Sequence, residues 1–180
     1  IGIRKLINKF KSINYSMIDQ AIVSCSNFLC SLIIVKLIGL NEFGLFSTFW
    51  LILLFISSIS VSTIISPMMA IVPQRSNTIK YFGSLFIFQS AFSVGGFLVS
   101  FFLCLLYSIF SEFSISIKTV FCFSLCVLFH HFQEFFRKYF FANKQFINAI
   151  VVDSITYLIR VCLLLSLMGY QVTVNLDIVF

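Results

Sequence analysis

The few ionisable side chains that fall inside long apolar runs are where this 180-residue chain could do chemistry. Arg160 lies one residue from the middle of the run 149–169, and Asp153, Thr156 and Tyr157 fall on the same helical side. An arginine at the centre of a bilayer costs ~2.5–3.5 kcal/mol even on the lenient insertion scale, so it needs a partner or a wet cavity. Asp153 stands about 10 Å away along a helix axis, too far for an easy direct pair. Arg160 is therefore expected to line a cavity, where its planar fork suits a phosphate or a carboxylate. Asp19 and Lys36 sit at opposite ends of another run, and Lys36 can snorkel to the interface. His130, His131 and Glu134 lie near one end of a third. His130 and Asp19 are the candidates for ion coupling, since imidazole changes charge near neutral pH. Interfacial hydrogen bonding is the favoured account of the histidines.

Uncharged polar residues form stripes at helical spacing. Gln20, Ser24, Asn27 and Ser31 make one; Gln89, Ser93, Gly96 and Ser100 make another; Thr119, Cys122, Cys126, His130, Gln133 and Arg137 make a third. Small and hydroxyl residues let membrane helices approach closely, and that is the favoured account of the Gln89 stripe and of Ser57–Ser66. The Asn27 stripe is expected to face water. Gln20, Asn27, Lys36, Asp153, Tyr157 and Arg160 are thus the candidate cavity or substrate-binding residues.

Several chemistries are excluded by the lack of their motifs. There is no Gly-Lys phosphate loop, no nucleophile elbow and no zinc helix. The six cysteines all lie in apolar runs without C-x-x-C spacing, which makes them small apolar residues rather than metal ligands or disulfides. No catalytic residue, metal or cofactor is expected, and the chain is not read as an enzyme.

The elements that must position these side chains are membrane helices. Hydrophobic residues make up 60% of the chain and charged residues 10%, against roughly 45–50% and about 25% in soluble domains. A spanning helix needs about 20 mostly apolar residues. Five runs qualify: 17–37, 43–65, 82–107, 115–136 and 149–169. They far exceed the ~10 residues of a barrel strand, so the fold is expected to be all-α, a polytopic transmembrane bundle. Pro67 should bend or end the second run. Residues 1–14 place Ile3, Leu6, Ile7, Phe10 and Ile13 against Arg4, Lys5, Lys9 and Lys11, the pattern of an amphipathic helix lying on the membrane surface.

With the N-terminus in the cytoplasm, nine of the twelve Lys and Arg fall on inner segments: Arg4, Lys5, Lys9, Lys11, Arg75, Lys80, Arg137, Lys138 and Lys144. Lys36 and Lys118 are outside, and Arg160 is within a span. That asymmetry is the positive-inside signal. It accounts for the net charge of +6 without any nucleic acid partner.

Val35-Lys36-Leu37-Ile38-Gly39-Leu40-Asn41-Glu42-Phe43-Gly44-Leu45-Phe46 resembles the junction between the first two spans of the oligosaccharide (O-antigen type) flippases. That family belongs to the multidrug/oligosaccharidyl-lipid/polysaccharide exporter superfamily. The stretch from Arg137-Lys138-Tyr139-Phe140 to Asp153 is similar to the family's segment after its fourth span. Lys36 stands where the family usually has Arg, and Leu40 where it often has Pro. The resemblance implies a multi-pass protein of a bacterial plasma membrane with about twelve or more spans, of which residues 1–180 form part of the N-terminal lobe. It implies a lipid-linked oligosaccharide of the undecaprenyl-pyrophosphate type as substrate, moved from the inner to the outer leaflet. The ending Asn175–Phe180 reads as a connection entering a further apolar segment. Rival readings are a membrane-embedded glycan polymerase or ligase, which should carry a large outer loop, and a drug or ion exporter of the same architecture.

Overall fold

In a computed structural model the described residues are 2–74, 78–110 and 115–169, with side chains from 17 onward except those of Asp19, Thr78, Ile79, Met168 and Gly169. They are all helical apart from short connections, and no strand occurs among them. Helix α1 runs Gly2–Ser60, followed by a π-helical turn Val61–Ile65, a short α2 Ser66–Ile71 and a 3₁₀ turn Val72–Gln74. Helices α3 (Thr78–Phe110), α4 (Ile117–Ala142) and α5 (Phe146–Gly169) complete the bundle. Four helical runs are long and apolar enough to cross a membrane. Their outward apolar side chains, such as Phe88 and Phe102 on α3 and Leu158 on α5, are widely exposed, which a bilayer tolerates and water does not.

Unbroken, α1 would be about 89 Å long, three times a hydrocarbon core. It is not unbroken. Gly39 takes φ 80° and ψ 173°, a backbone region essentially reserved for glycine. There the chain reverses. Val23 and Val61 border the same cavity, although a continuous helix would hold them about 57 Å apart. The two arms and α3, α4 and α5 therefore run up and down as five rods. The connection expected over Ile38–Glu42 reduces to one non-helical residue, because Gly39 alone supplies the reversal.

Of the two outcomes expected at Pro67, a bend or an end, the end does not occur. Proline removes an N–H and crowds the carbonyl four residues earlier, and the π turn over Val61–Ile65 supplies the wider pitch upstream of the ring. The helical path continues to Gln74. Ser116 starts α4 in extended geometry, its Oγ accepting from the Lys118 N–H at 3.3 Å. The α4–α5 turn is a Schellman motif: Gln145 N–H donates to Phe140 O at 2.9 Å and Lys144 N–H to Phe141 O at 3.0 Å.

Packing follows the small residues and the rings. Helix α3 lies chiefly on α4, and α5 chiefly on α1. Gln89, Ser93 and Ser100 are buried; Gln89 Nε2 donates to His131 O (3.2 Å), and its Oε1 accepts from Ser60 Oγ (3.3 Å). A Cβ on Gly96 would sit 3.4 Å from Ile56, so this stripe is an interhelical seam. Phe49 and Phe123 stack at 4.9 Å between α1 and α4. Residues 1–14 are helical from Gly2, continuous with the first arm, and their side chains lie outside those described.

Candidate functional site

Between the arms of α1 and helices α4 and α5 lie three adjoining cavities of about 520, 280 and 240 Å³. Arg160 and Trp50 border all three. Arg160 is on α5, about 4 Å from that helix's midpoint. Its guanidinium carbon lies 5.4 Å from the centroid of the Trp50 ring, a cation–π geometry. Trp50 is braced one turn back by Phe46, stacked at 6.1 Å, which in turn stacks on Phe43 at 5.9 Å. Among the described residues no carboxylate pairs with Arg160 and no acceptor hydrogen-bonds to it.

The largest cavity adds Cys122, Cys126, His130 and Gln133, four successive members of the α4 stripe. The second adds Asn27, Cys30 and Ser31 from the first arm, and the third adds Ser57, Glu134, Thr156 and Tyr157. His130 faces Trp50 with ring centroids 6.4 Å apart, whereas His131 is buried and donates from Nδ1 to Val127 O at 2.6 Å. Amides, hydroxyls, the Arg160 cation and, in the third cavity, the Arg137-paired carboxylate Glu134 thus surround space large enough for a polar headgroup inside an apolar bundle. A planar anion would find two parallel N–H donors there, and neutral hydroxyls would find Asn27 and Gln133.

The structure therefore brings Arg160, Asn27, Tyr157 and His130 to the same cavities. Gln20 and Lys36 are exposed and border none of the three, and the Asp19 side chain lies outside those described. Asp153 corrects its expected placement. It is fully buried, and its Oδ2 lies 2.7 Å from Arg137 Nε in an ion pair between α5 and α4. Arg137 Nη1 also donates to Glu134 Oε1 at 2.7 Å. The same face of α5 thus carries a buried ion pair at Asp153 and a cavity-lining cation at Arg160. Arg137, expected both at the end of the α4 stripe and among the inner cations, lies within α4, which continues past it to Ala142 and buries it.

Sequence reasoning missed Trp50. It is the only tryptophan, yet nothing in its spacing marks a contact with a residue on the fifth rod. Compared with protein-family models, with curated proteins and with solved structures, the chain matches none of them.

Proposed function

We propose that this chain forms part of the N-terminal lobe of a bacterial plasma-membrane translocator that moves an anionic, lipid-linked oligosaccharide from the inner to the outer leaflet. In this reading the five rods are five spans, with the N-terminus in the cytoplasm. The observation that carries it is Arg160: a mid-helix cation without a carboxylate among the described residues, bordering three adjoining cavities. A charged, hydroxyl-rich headgroup cannot cross hydrocarbon unaided, and a polar cavity between helices replaces its hydration during rocking of two lobes. The two stretches that resemble the oligosaccharide flippases supply the reversal at Gly39 and the α4–α5 turn with its ion pair, so the resemblance falls on the points that set helix order.

The test is replacement of Arg160 in cells whose surface polysaccharide depends on this protein. Arg160→Ala is expected to insert at normal abundance and abolish the polysaccharide, while Arg160→Lys keeps the charge and retains part of it. One immunoblot and one polysaccharide gel read both. Normal export by a stable Arg160→Ala protein would end the translocation role of this cavity.

A further inference from the structure

We propose that Trp50 is the positioning residue that holds Arg160 as an un-neutralised cation, making the cavity a receptor for an oxyanion. The proposal rests on Arg160 facing a cavity and not on the identity of the cargo. A guanidinium at mid-helix is stabilised by a carboxylate, by water or by a π face. The nearby carboxylates are engaged elsewhere: Glu134 and Asp153 both pair with Arg137. The π face is taken, at 5.4 Å. The choice matters chemically. A carboxylate cancels the charge and occupies the donor fork, whereas an indole stabilises the charge and leaves it uncancelled. The N–H donors of Arg160 have no acceptor among the described residues, so the fork remains open to two oxygens of one anion.

The position of the ring is itself fixed. Trp50 is stacked on Phe46, and both border the two larger cavities with Arg160. Without the indole, the flexible stem of Arg160 is free to snorkel away from the cavity. The ligand class is an oxyanion with paired oxygens: a phosphate, a pyrophosphate or a sugar carboxylate.

Cys126 borders the largest cavity together with Arg160 and serves as a reporter of its potential. The full chain would be purified into zwitterionic nanodiscs with the other five cysteines replaced by alanine. Cys126 would then be reacted with sulfonatoethyl and with trimethylammonioethyl methanethiosulfonate, two reagents of similar size and opposite charge. Their rate ratio, each rate first divided by that with a free thiol in solution, reports local charge with accessibility and intrinsic reactivity cancelled, which a purely structural role of Trp50 would not move. After that normalisation the anionic reagent is expected to be favoured by roughly tenfold or more, as an uncompensated charge lining the same cavity dictates. The preference should vanish in Arg160→Gln, collapse in Trp50→Leu and fall part-way in Trp50→Phe, whose ring is the weaker π face. The phenylalanine variant reads the same dependence if the leucine variant is not recovered. Excess inorganic pyrophosphate should slow the anionic reagent if the oxyanion is soluble or carried by a cargo. Slowing only in phosphatidylglycerol nanodiscs would instead assign the receptor to a lipid headgroup. Equal normalised rates for the two reagents, a Cys126 inert to both, or a preference untouched by either Trp50 change would overturn the proposal. A charge preference alongside normal polysaccharide export in Arg160→Ala would leave the receptor standing and remove the translocation reading.

Discussion

Arg137 and Arg160 carry the same side chain in adjacent helices and do opposite things with it. Arg137 is 5% exposed and shared between two carboxylates, so its charge is spent on holding α4 and α5 together. Arg160 borders open space with an indole against its guanidinium and, among the described residues, no carboxylate paired with it. Depth alone picked out Arg160 in the sequence, because hydropathy makes a mid-run arginine conspicuous. Arg137 was legible as the end of the α4 stripe and as an inner cation, but its pairing with Asp153 was not, because no periodicity links side chains on separate helices. Two backbone positions are equally informative at this scale. Gly39 has nothing within 4 Å of an added Cβ, so any penalty there is conformational and not steric. Gly39→Ala is expected to destabilise the bundle by about 1–3 kcal/mol, read as a lowered Tm in detergent. Gly44→Ala, equally uncrowded but with helical φ, should leave Tm unchanged or raise it. Lys144 sits at φ 61° in the Schellman turn, so Lys144→Gly should stabilise by about 1 kcal/mol.

At the scale of elements, the ion pair between Arg137 and Asp153 decides how α4 meets α5. Breaking a buried pair on one side leaves an uncompensated charge and costs about 3–5 kcal/mol, whereas replacing both partners by apolar groups is often neutral. Asp153→Ala should therefore sharply reduce membrane abundance, and Arg137→Met with Asp153→Leu should recover most of it. Arg160→Ala should leave abundance unchanged, and this contrast separates the tie from the cavity cation on one blot. The helices themselves were legible in the sequence, because runs of about 20 apolar residues have few alternatives. Their ends were not. The run 115–136 stopped where charged residues began, but α4 continues to Ala142 by pairing those charges internally. Pro67 signalled a bend or a stop, and the π turn upstream carried the helix past it. The Gln89 stripe was readable as packing because its residues are small or hydrogen-bond across the seam. The contact between Trp50 and Arg160 was not, because no periodicity links side chains on separate rods.

At the scale of the whole molecule, the five antiparallel rods put the Gly39 reversal and the start of α4 at one end. The Val72–Gln74 turn and the α4–α5 turn lie at the other, where Met68 and Val72 cluster with Phe135 and Ala142. That geometry makes the charge distribution a single question, since fixing one end fixes the other. Burial of Arg137 removes one of the nine cations assigned to the inner side, but the remaining eight still outnumber Lys36 and Lys118 outside. Lys138 and Lys144 stay on the accessible surface near the α4–α5 turn, where they can meet anionic headgroups. The expected orientation does not depend on Arg137. It places Leu40, at the tip of the first hairpin and 78% exposed, outside the cell, and Gln145 inside. In a cysteine-free background, a membrane-impermeant maleimide applied to intact cells should label Leu40→Cys and spare Gln145→Cys until the membrane is opened. Labelling of Gln145→Cys alone would invert the bundle. The cavity cation would keep its depth in that case, because Arg160 lies near the middle of α5, but the positive-inside argument would fall.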